Sequence, residues 1–295
     1  MGTSRSLLSL RLPAAAGALL VLFLLAGSLA DYPLSCALYD PQNLFGRFFA
    51  AFGEYPAGLG LTAAGVMLVM GRSPQRRAVA CLQVIAGVWC VLSGAALTAL
   101  LPMNYLPVGP AVSAAIGLAC TLAAALATRA LCRGADRRRM LRLAGVFLLV
   151  IFGELLVVNC VKVLWGRPRM RLIAADPRAS FLPWWQPSHA LRDALTGAGV
   201  AAEEFKSFPS GHTANASTLM LLALLPALRP GLQKRQTALF AAGFLWACVV
   251  DFSRIVAGAH FLSDVTMGLA LGLLVLTAAS RLLRRPEPEA PSASS

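Results

Sequence analysis

Three short stretches, far apart in the chain, hold most of the residues suited to chemistry: Lys162, Arg167 and Arg169 in KVLWGRPRM, Ser210, Gly211 and His212 in PSGH, and Ser253, Arg254, His260 and Asp264 in SRIVAGAHFLSD. Lys162, Arg169 and Arg254 can neutralise a phosphate dianion, and a guanidinium adds a fork that matches its oxygens. Pro209-Ser210-Gly211 reads as a helix start, with Ser210 a candidate cap and Gly211 letting backbone come close to a ligand. N–H groups at such an end, helped by the helix dipole, favour an anion. His260 and Asp264 are four apart and so share a helix face, where a carboxylate can keep one ring nitrogen protonated and free the other to attack. His212 opens a different helix and can protonate a leaving oxygen. A nucleophile, a separate acid and surrounding cations are what phosphoryl transfer requires.

Two acids stand beside these stretches. Asp251, three residues before Arg254, is expected to steady that arginine. Glu154, two helical turns before Lys162, is expected to make a structural ion pair or hydrogen bond, or to line the site. His189, in QPSHAL, imitates the second stretch without its glycine and reads as a loop residue.

The elements that position these groups are helices in lipid. The chain has 295 residues, 58% hydrophobic and only 13% charged, with a mean hydropathy of +0.69. A bilayer core about 30 Å thick needs roughly 20 apolar residues per span. Eight segments approach or reach that length, at 12–30, 55–71, 78–101, 108–131, 143–163, 211–228, 237–254 and 260–280. The fold class is therefore all-α, a polytopic bundle of about eight membrane helices. Most of the 26 lysines and arginines fall on one set of alternate connections, 1–11, 72–77, 129–142, 229–236 and 281–295. The positive-inside rule makes that face cytoplasmic and puts both termini there. All three polar stretches then reach the opposite, extracytoplasmic face. The net charge of +13 is mostly this topology signal, with attraction to anionic lipid second. No basic stripe interleaved with aromatics suggests nucleic-acid binding.

The chain divides into an N-terminal unit, 1–142, a unit bearing the motifs, 143–285, and a tail of Pro, Glu, Ser and Ala, 286–295, that reads as disordered. Ser28-Leu29-Ala30 offers a signal-peptidase pattern, although the apolar run before it is longer than usual for a cleaved leader. Residues 41–54, with Phe45, Phe48, Phe49 and Phe52 at spacings of three and four, suit an interfacial helix. The segment 165–209 far exceeds the roughly 2–8 residues usual between packed helices, and its tryptophans and phenylalanines argue for order. Trp184 and Trp185 read as interfacial anchors. The seven cysteines are dispersed, with neither metal-ligand nor disulfide spacing.

The three stretches resemble the tripartite signature of the type 2 phosphatidic acid phosphatase (PAP2) family, K-x6-R-P, P-S-G-H and S-R-x5-H-x3-D. The second and third match fully; in the first, Met170 stands where the family has proline, with Pro168 two residues earlier. The resemblance spans roughly 143–280 and implies a six-helix type of catalytic core in the C-terminal half. It implies that His260 is a nucleophile forming a phosphohistidine, that Asp264 orients it, and that His212 is the general acid. It assigns phosphate binding to Lys162, Arg169, Ser210, Gly211 and Arg254, leaves Arg167 and Ser253 as further candidates, and implies no metal or other cofactor. The expected partner is a lipid phosphate or diphosphate monoester in the bilayer. Undecaprenyl diphosphate is the first choice, beside phosphatidate, phosphatidylglycerol phosphate and lipid A phosphates. A lipid phosphotransferase, a vanadate-type haloperoxidase and a non-catalytic lipid-binding or transport protein are the alternatives.

Overall fold

A computed structural model describes Leu8 and residues 11–283, so the tail 286–295 lies outside the described residues. Among the described residues the chain is helical and has no strand. The helices run in order as α1 (Arg11–Leu38), α2 (Leu44–Phe52), α3 (Tyr55–Met70), α4 (Arg77–Tyr105), α5 (Pro110–Cys132), α6 (Arg137–Trp165), α7 (Met170–Ala175), α8 (His189–Gly197), α9 (Gly211–Ser217), α10 (Gln236–Val256) and α11 (Leu262–Ser280). Short 3-10 stretches lie at Ala202–Phe205, Thr218–Ala227, Pro230–Arg235 and Arg281–Leu283.

Six of these, α1, α4, α5, α6, α10 and α11, are long and apolar enough to cross a membrane. Large apolar side chains such as Leu22, Trp89, Leu122 and Leu156 are more than half exposed along them. A helix satisfies its own backbone polar groups, so such faces are stable against lipid and costly against water. The protein is an integral membrane protein. Two of the eight expected spans take another form. Helix α3 has 16 residues, about 24 Å at 1.5 Å per residue, and much of its surface is buried. Segment 211–228 begins as α9 and continues as the ten-residue 3-10 stretch Thr218–Ala227.

Close backbone approach organises the N-terminal unit. Gly58 and Gly65 of α3 face Gly94 and Gly87 of α4, and a Cβ on Gly65, Gly87 or Gly94 would strike the opposing glycine's carbonyl oxygen. Small residues let helices in lipid pack where no hydrophobic gain separates them from the solvent. The main core lies under the motif-bearing helices. Leu143 and Val150 of α6, Met220 and Leu224 of the 3-10 stretch, Ala247 and Val250 of α10, and Leu269 of α11 are essentially inaccessible.

The expected interfacial helix forms as α2, capped by Asn43, whose side chain accepts from the Phe45 and Gly46 amides. Its aromatic face is divided: Phe45 and Phe48 are exposed, while Phe49 packs on Trp246 and Phe52 on Tyr55. The long segment 165–209 is ordered around a small core of Leu172, Ala179, Leu195 and Phe205. Trp184 stacks on Phe208 and donates to Ser28 Oγ at 3.0 Å, which ties this segment to α1. Trp185 is exposed.

Candidate active site

Helix α6 ends at Gly166, whose φ of 65° is the left-handed conformation that glycine adopts freely, and the chain turns off there. That turn leaves Lys162 in the last helical turn and sends Arg169 and Arg171 back over the same end of the bundle. The second break is sharper. Helix α10 stops at Val256 and α11 starts at Leu262, with Gly258 between them at φ 63°. Arg254 and His260, which a continuous helix would set on different faces, both reach one cavity as a result. At the third element, Ser210 caps α9 by accepting from the Thr213 amide at 3.3 Å.

The cavity has a volume of about 370 Å³. Lys162, Arg169, Gly211, His212, Arg254 and His260 line it, as does Glu154. Among the wall residues that the sequence did not mark are Glu54, Tyr105, Arg171 and Glu203. Glu203 Oε1 pairs with Arg169 at 3.1 Å, Glu54 Oε1 lies 3.0 Å from His212 Nδ1, and Ser217 donates to Glu154 at 3.3 Å. Arg171 makes a two-pronged pair with Glu204, at 2.8 and 2.6 Å. Lys162 and Arg254 are left without an ion pair among the described residues. The Nε atoms of Arg169 and Arg254 are buried with no hydrogen-bond partner. Buried donors without acceptors are costly, and an anion in this cavity would satisfy them.

His260 is 1% exposed and sits in the linker 257–261. Its Nδ1 is 2.6 Å from the Ser207 carbonyl oxygen. A carbonyl only accepts, so Nδ1 carries the proton and Nε2 presents a lone pair. Burial, followed by the nearby charges of Arg169, Lys162 and Arg254, holds the ring's pKa well below the ordinary histidine value. The ring is therefore neutral, with the Nε2 lone pair free. Asp264 stands 4.0 Å from His260 Nδ1, beyond hydrogen-bond range, and instead accepts from Ser207 Oγ and the Phe261 amide. It acts on His260 at one remove, by fixing the segment whose carbonyl holds the ring.

Several expected ligands sit behind the wall rather than in it. Arg167 is fully buried, donating from Nη1 to Asp264 and to Ser263 Oγ at 2.9 Å and from Nη2 to Asp31 at 2.9 Å. It braces the third motif and is not free to meet phosphate, which corrects its candidacy as a ligand. Ser253 Oγ turns back to the Val250 carbonyl at 2.6 Å. The Ser210 hydroxyl is spent on its cap and has no exposure. Asp251 makes no ion pair with Arg254; its carboxyl is directed at Thr213 of α9, so the expectation that it steadies Arg254 does not hold. Glu154 is in a hydrogen bond rather than an ion pair. His189 is exposed at the start of α8 and lies off the cavity.

Three residues that matter carried only a faint sequence signal. Asp31 is an acid inside an apolar run, which by itself marks a functional or structural partner. Glu54 sits at the junction before α3, where Pro56 in the first turn relieves the helix start of one N–H donor. Tyr105 ends α4 and places Oη 3.4 Å from His212 Nε2.

Comparison with known proteins agrees with this architecture. The family model described as the PAP2 superfamily matches residues 142–287. The chain is 35% identical over 80 residues to phosphatidylglycerophosphatase B of Bacillus subtilis (strain 168), a match covering 26% of this chain and 39% of that relative. No solved structure matches the chain. Through residues 142–287, which carry every motif residue of the cavity, the protein belongs to the PAP2 superfamily.

Proposed function

We propose that the protein hydrolyses a lipid phosphate or diphosphate monoester through a phosphohistidine on His260. The observation that carries this is the cavity itself: a neutral histidine nucleophile faces Lys162 and Arg254 without carboxylate partners and the unsatisfied Nε atoms of Arg169 and Arg254. In the first step His260 Nε2 attacks phosphorus and a P–N bond forms. The P–O bond to the lipid breaks, its electron pair stays on the departing oxygen, and His212 gives that oxygen a proton. In the second step water attacks the phosphohistidine, His212 takes a proton from it, and the P–N electron pair returns to the ring. Lys162, Arg169 and Arg254 hold the charge on the phosphoryl oxygens throughout, and the scheme gives a metal no role.

Lipid access follows from the setting of the cavity among membrane helices. The excess of lysine and arginine on the opposite connections supports an extracytoplasmic site in a cell membrane, with both termini inside. Undecaprenyl diphosphate and phosphatidate suit such a site, and the likeness to a phosphatidylglycerophosphatase adds phosphatidylglycerol phosphate to the first substrates to test.

The deciding measurement is phosphate release from these lipids in vesicles with chelator present, comparing the native chain with His260→Ala and His212→Ala. The expected result is release that survives chelation, is blocked by orthovanadate and is lost in His260→Ala. Undiminished turnover in that variant would sink the mechanism.

A further inference from the structure

The two histidines differ in what lies behind them. His260 Nδ1 meets a neutral backbone carbonyl, whereas His212 Nδ1 meets a carboxylate, Glu54 Oε1, at 3.0 Å. A neutral acceptor fixes a tautomer without favouring the cation; a carboxylate does both. Environments that push two titratable groups apart assign the base and the acid. We propose that Glu54, from the N-terminal unit outside the matched residues 142–287, is the positioning residue that orients His212 and favours its charged, proton-donating form, with the Nε2 proton available to the leaving oxygen. This rests on the reading of the cavity as a phosphatase site.

The geometry around Glu54 supports that role. Its backbone opens α3, yet its side chain makes no cap bond to that helix. The Gly53 carbonyl just before it accepts from Trp246 Nε1 at 3.2 Å, which pins the α2–α3 junction to α10. The carboxylate receives a second hydrogen bond from Asn215, one turn beyond His212 on α9. Burial alone would raise its pKa, but His212, Asn215 and Arg254 outweigh burial and bring it to about 2. It is therefore ionised at neutral pH and well below it.

The groups facing His212 from each packed element are few. Tyr105 of α4 is neutral, while burial, Arg254 of α10 and Lys162 of α6 oppose a charge on the ring and leave its pKa below the ordinary histidine value even with Glu54 beside it; a cation at His260 would oppose it too. Glu154, also on α6, is turned to Ser217. Glu54 alone among them favours the imidazolium directly. During the reaction it keeps its charge; the proton that leaves is the one on Nε2, and the pair passes from carboxylate–imidazolium to carboxylate–imidazole.

Two measurements on the full chain test this. In the first, phosphate release from a long-chain alkyl phosphate, whose alkoxide needs a proton to depart, is compared with release from p-nitrophenyl phosphate, whose phenolate does not. A lost general acid costs about 10²–10⁴-fold, so Glu54→Gln should lower kcat on the alkyl ester at least about tenfold more than on the aryl ester, and Glu54→Asp should restore part of it. Equal losses on both esters would reduce Glu54 to a structural role and overturn the proposal. In the second, ¹⁵N-histidine spectra are titrated; the chain has only three histidines, so His189→Gln and His260→Ala assign the signals. His212 should titrate lower in Glu54→Gln by about one pH unit or more, and an unchanged titration would overturn the proposal. If the native chain released phosphate from neither ester, the phosphatase reading would fall, while the titration would still decide whether Glu54 controls His212.

Discussion

His260 Nδ1 lies 2.6 Å from the Ser207 carbonyl oxygen and 4.0 Å from the nearest carboxylate oxygen of Asp264, so a backbone group fixes the ring proposed as the nucleophile. Asp264 controls that backbone group by holding the Ser207 hydroxyl and the Phe261 amide. Two substitutions separate these links. Ser207→Ala keeps the carbonyl and loses one hydroxyl bond, and should lower kcat by about tenfold or less, in line with a neutral hydrogen bond worth about 1 kcal/mol. Asp264→Ala removes the anchor of Ser207, Phe261 and Arg167 together and should cost at least 100-fold. The two kcat values measured side by side check the order; a Ser207→Ala loss as deep as that of Asp264→Ala would contradict it.

Arg167 has no exposure and divides its guanidinium between Asp31 and Asp264. Removing one member of a buried ion network leaves an uncompensated charge and typically costs about 3–5 kcal/mol. Asp31→Ala should therefore lower the melting temperature in detergent, although residue 31 lies more than a hundred positions from the motifs. The accompanying change in phosphate release should appear in kcat rather than in KM, because Asp31 is not a wall of the cavity.

Gly258 turns the chain at φ 63°, and a Cβ there would strike the Tyr39 ring. The left-handed conformation alone costs a non-glycine residue about 1–2 kcal/mol. Gly258→Ala should destabilise the protein by that amount or more and displace Arg254 from His260, which a fall in both thermal stability and orthovanadate affinity would reveal.

The pH profile follows from His260. Its pKa is depressed in the folded protein, so the neutral form, which the proposed mechanism requires, persists below the ordinary histidine range, and the acid limb of kcat/KM should fall below about pH 6.5. The sign for stability is the same. The unfolded chain takes up a proton near that value and the folded chain resists it, so stability is complete above it and declines as pH falls further. Glu54, held at about 2, stays ionised through this window and loses its contribution only as pH falls from about 4.5 toward that value.

Much of the catalytic half could be read from residue order because its chemistry is local. K-x6-R, PSGH and R-x5-H-x3-D are spacings within single turns, caps and helix faces, and the break at Gly258 was required by the six-residue step from Arg254 to His260. Asp31, Glu54 and Tyr105 act across the fold, and nothing in their neighbours encodes a partner more than a hundred residues away. Sequence proximity also misled. Asp251 and Arg254 are three apart on α10, yet the carboxyl turns to Thr213, because the arginine is drawn toward the cavity and the Gly46 carbonyl. Arg167 and Arg169 look interchangeable in KVLWGRPRM, but the turn at Gly166 sends one inward to carboxylates and the other to the cavity wall.

The 3-10 winding of Thr218–Ala227 acts as a length gauge. Ten residues rising about 2.0 Å each reach about 5 Å further than the same ten wound at 1.5 Å. With the seven residues of α9, the segment attains about 30 Å, the depth of the hydrocarbon layer, from a stretch that as a plain α-helix would stop short of it. Rewinding those ten residues would draw His212 away from Glu54 and Arg254, or pull the Leu228 end inward from its own surface. The height of His212 is thus set by the winding of a segment that places no cavity-lining residue past Asn215.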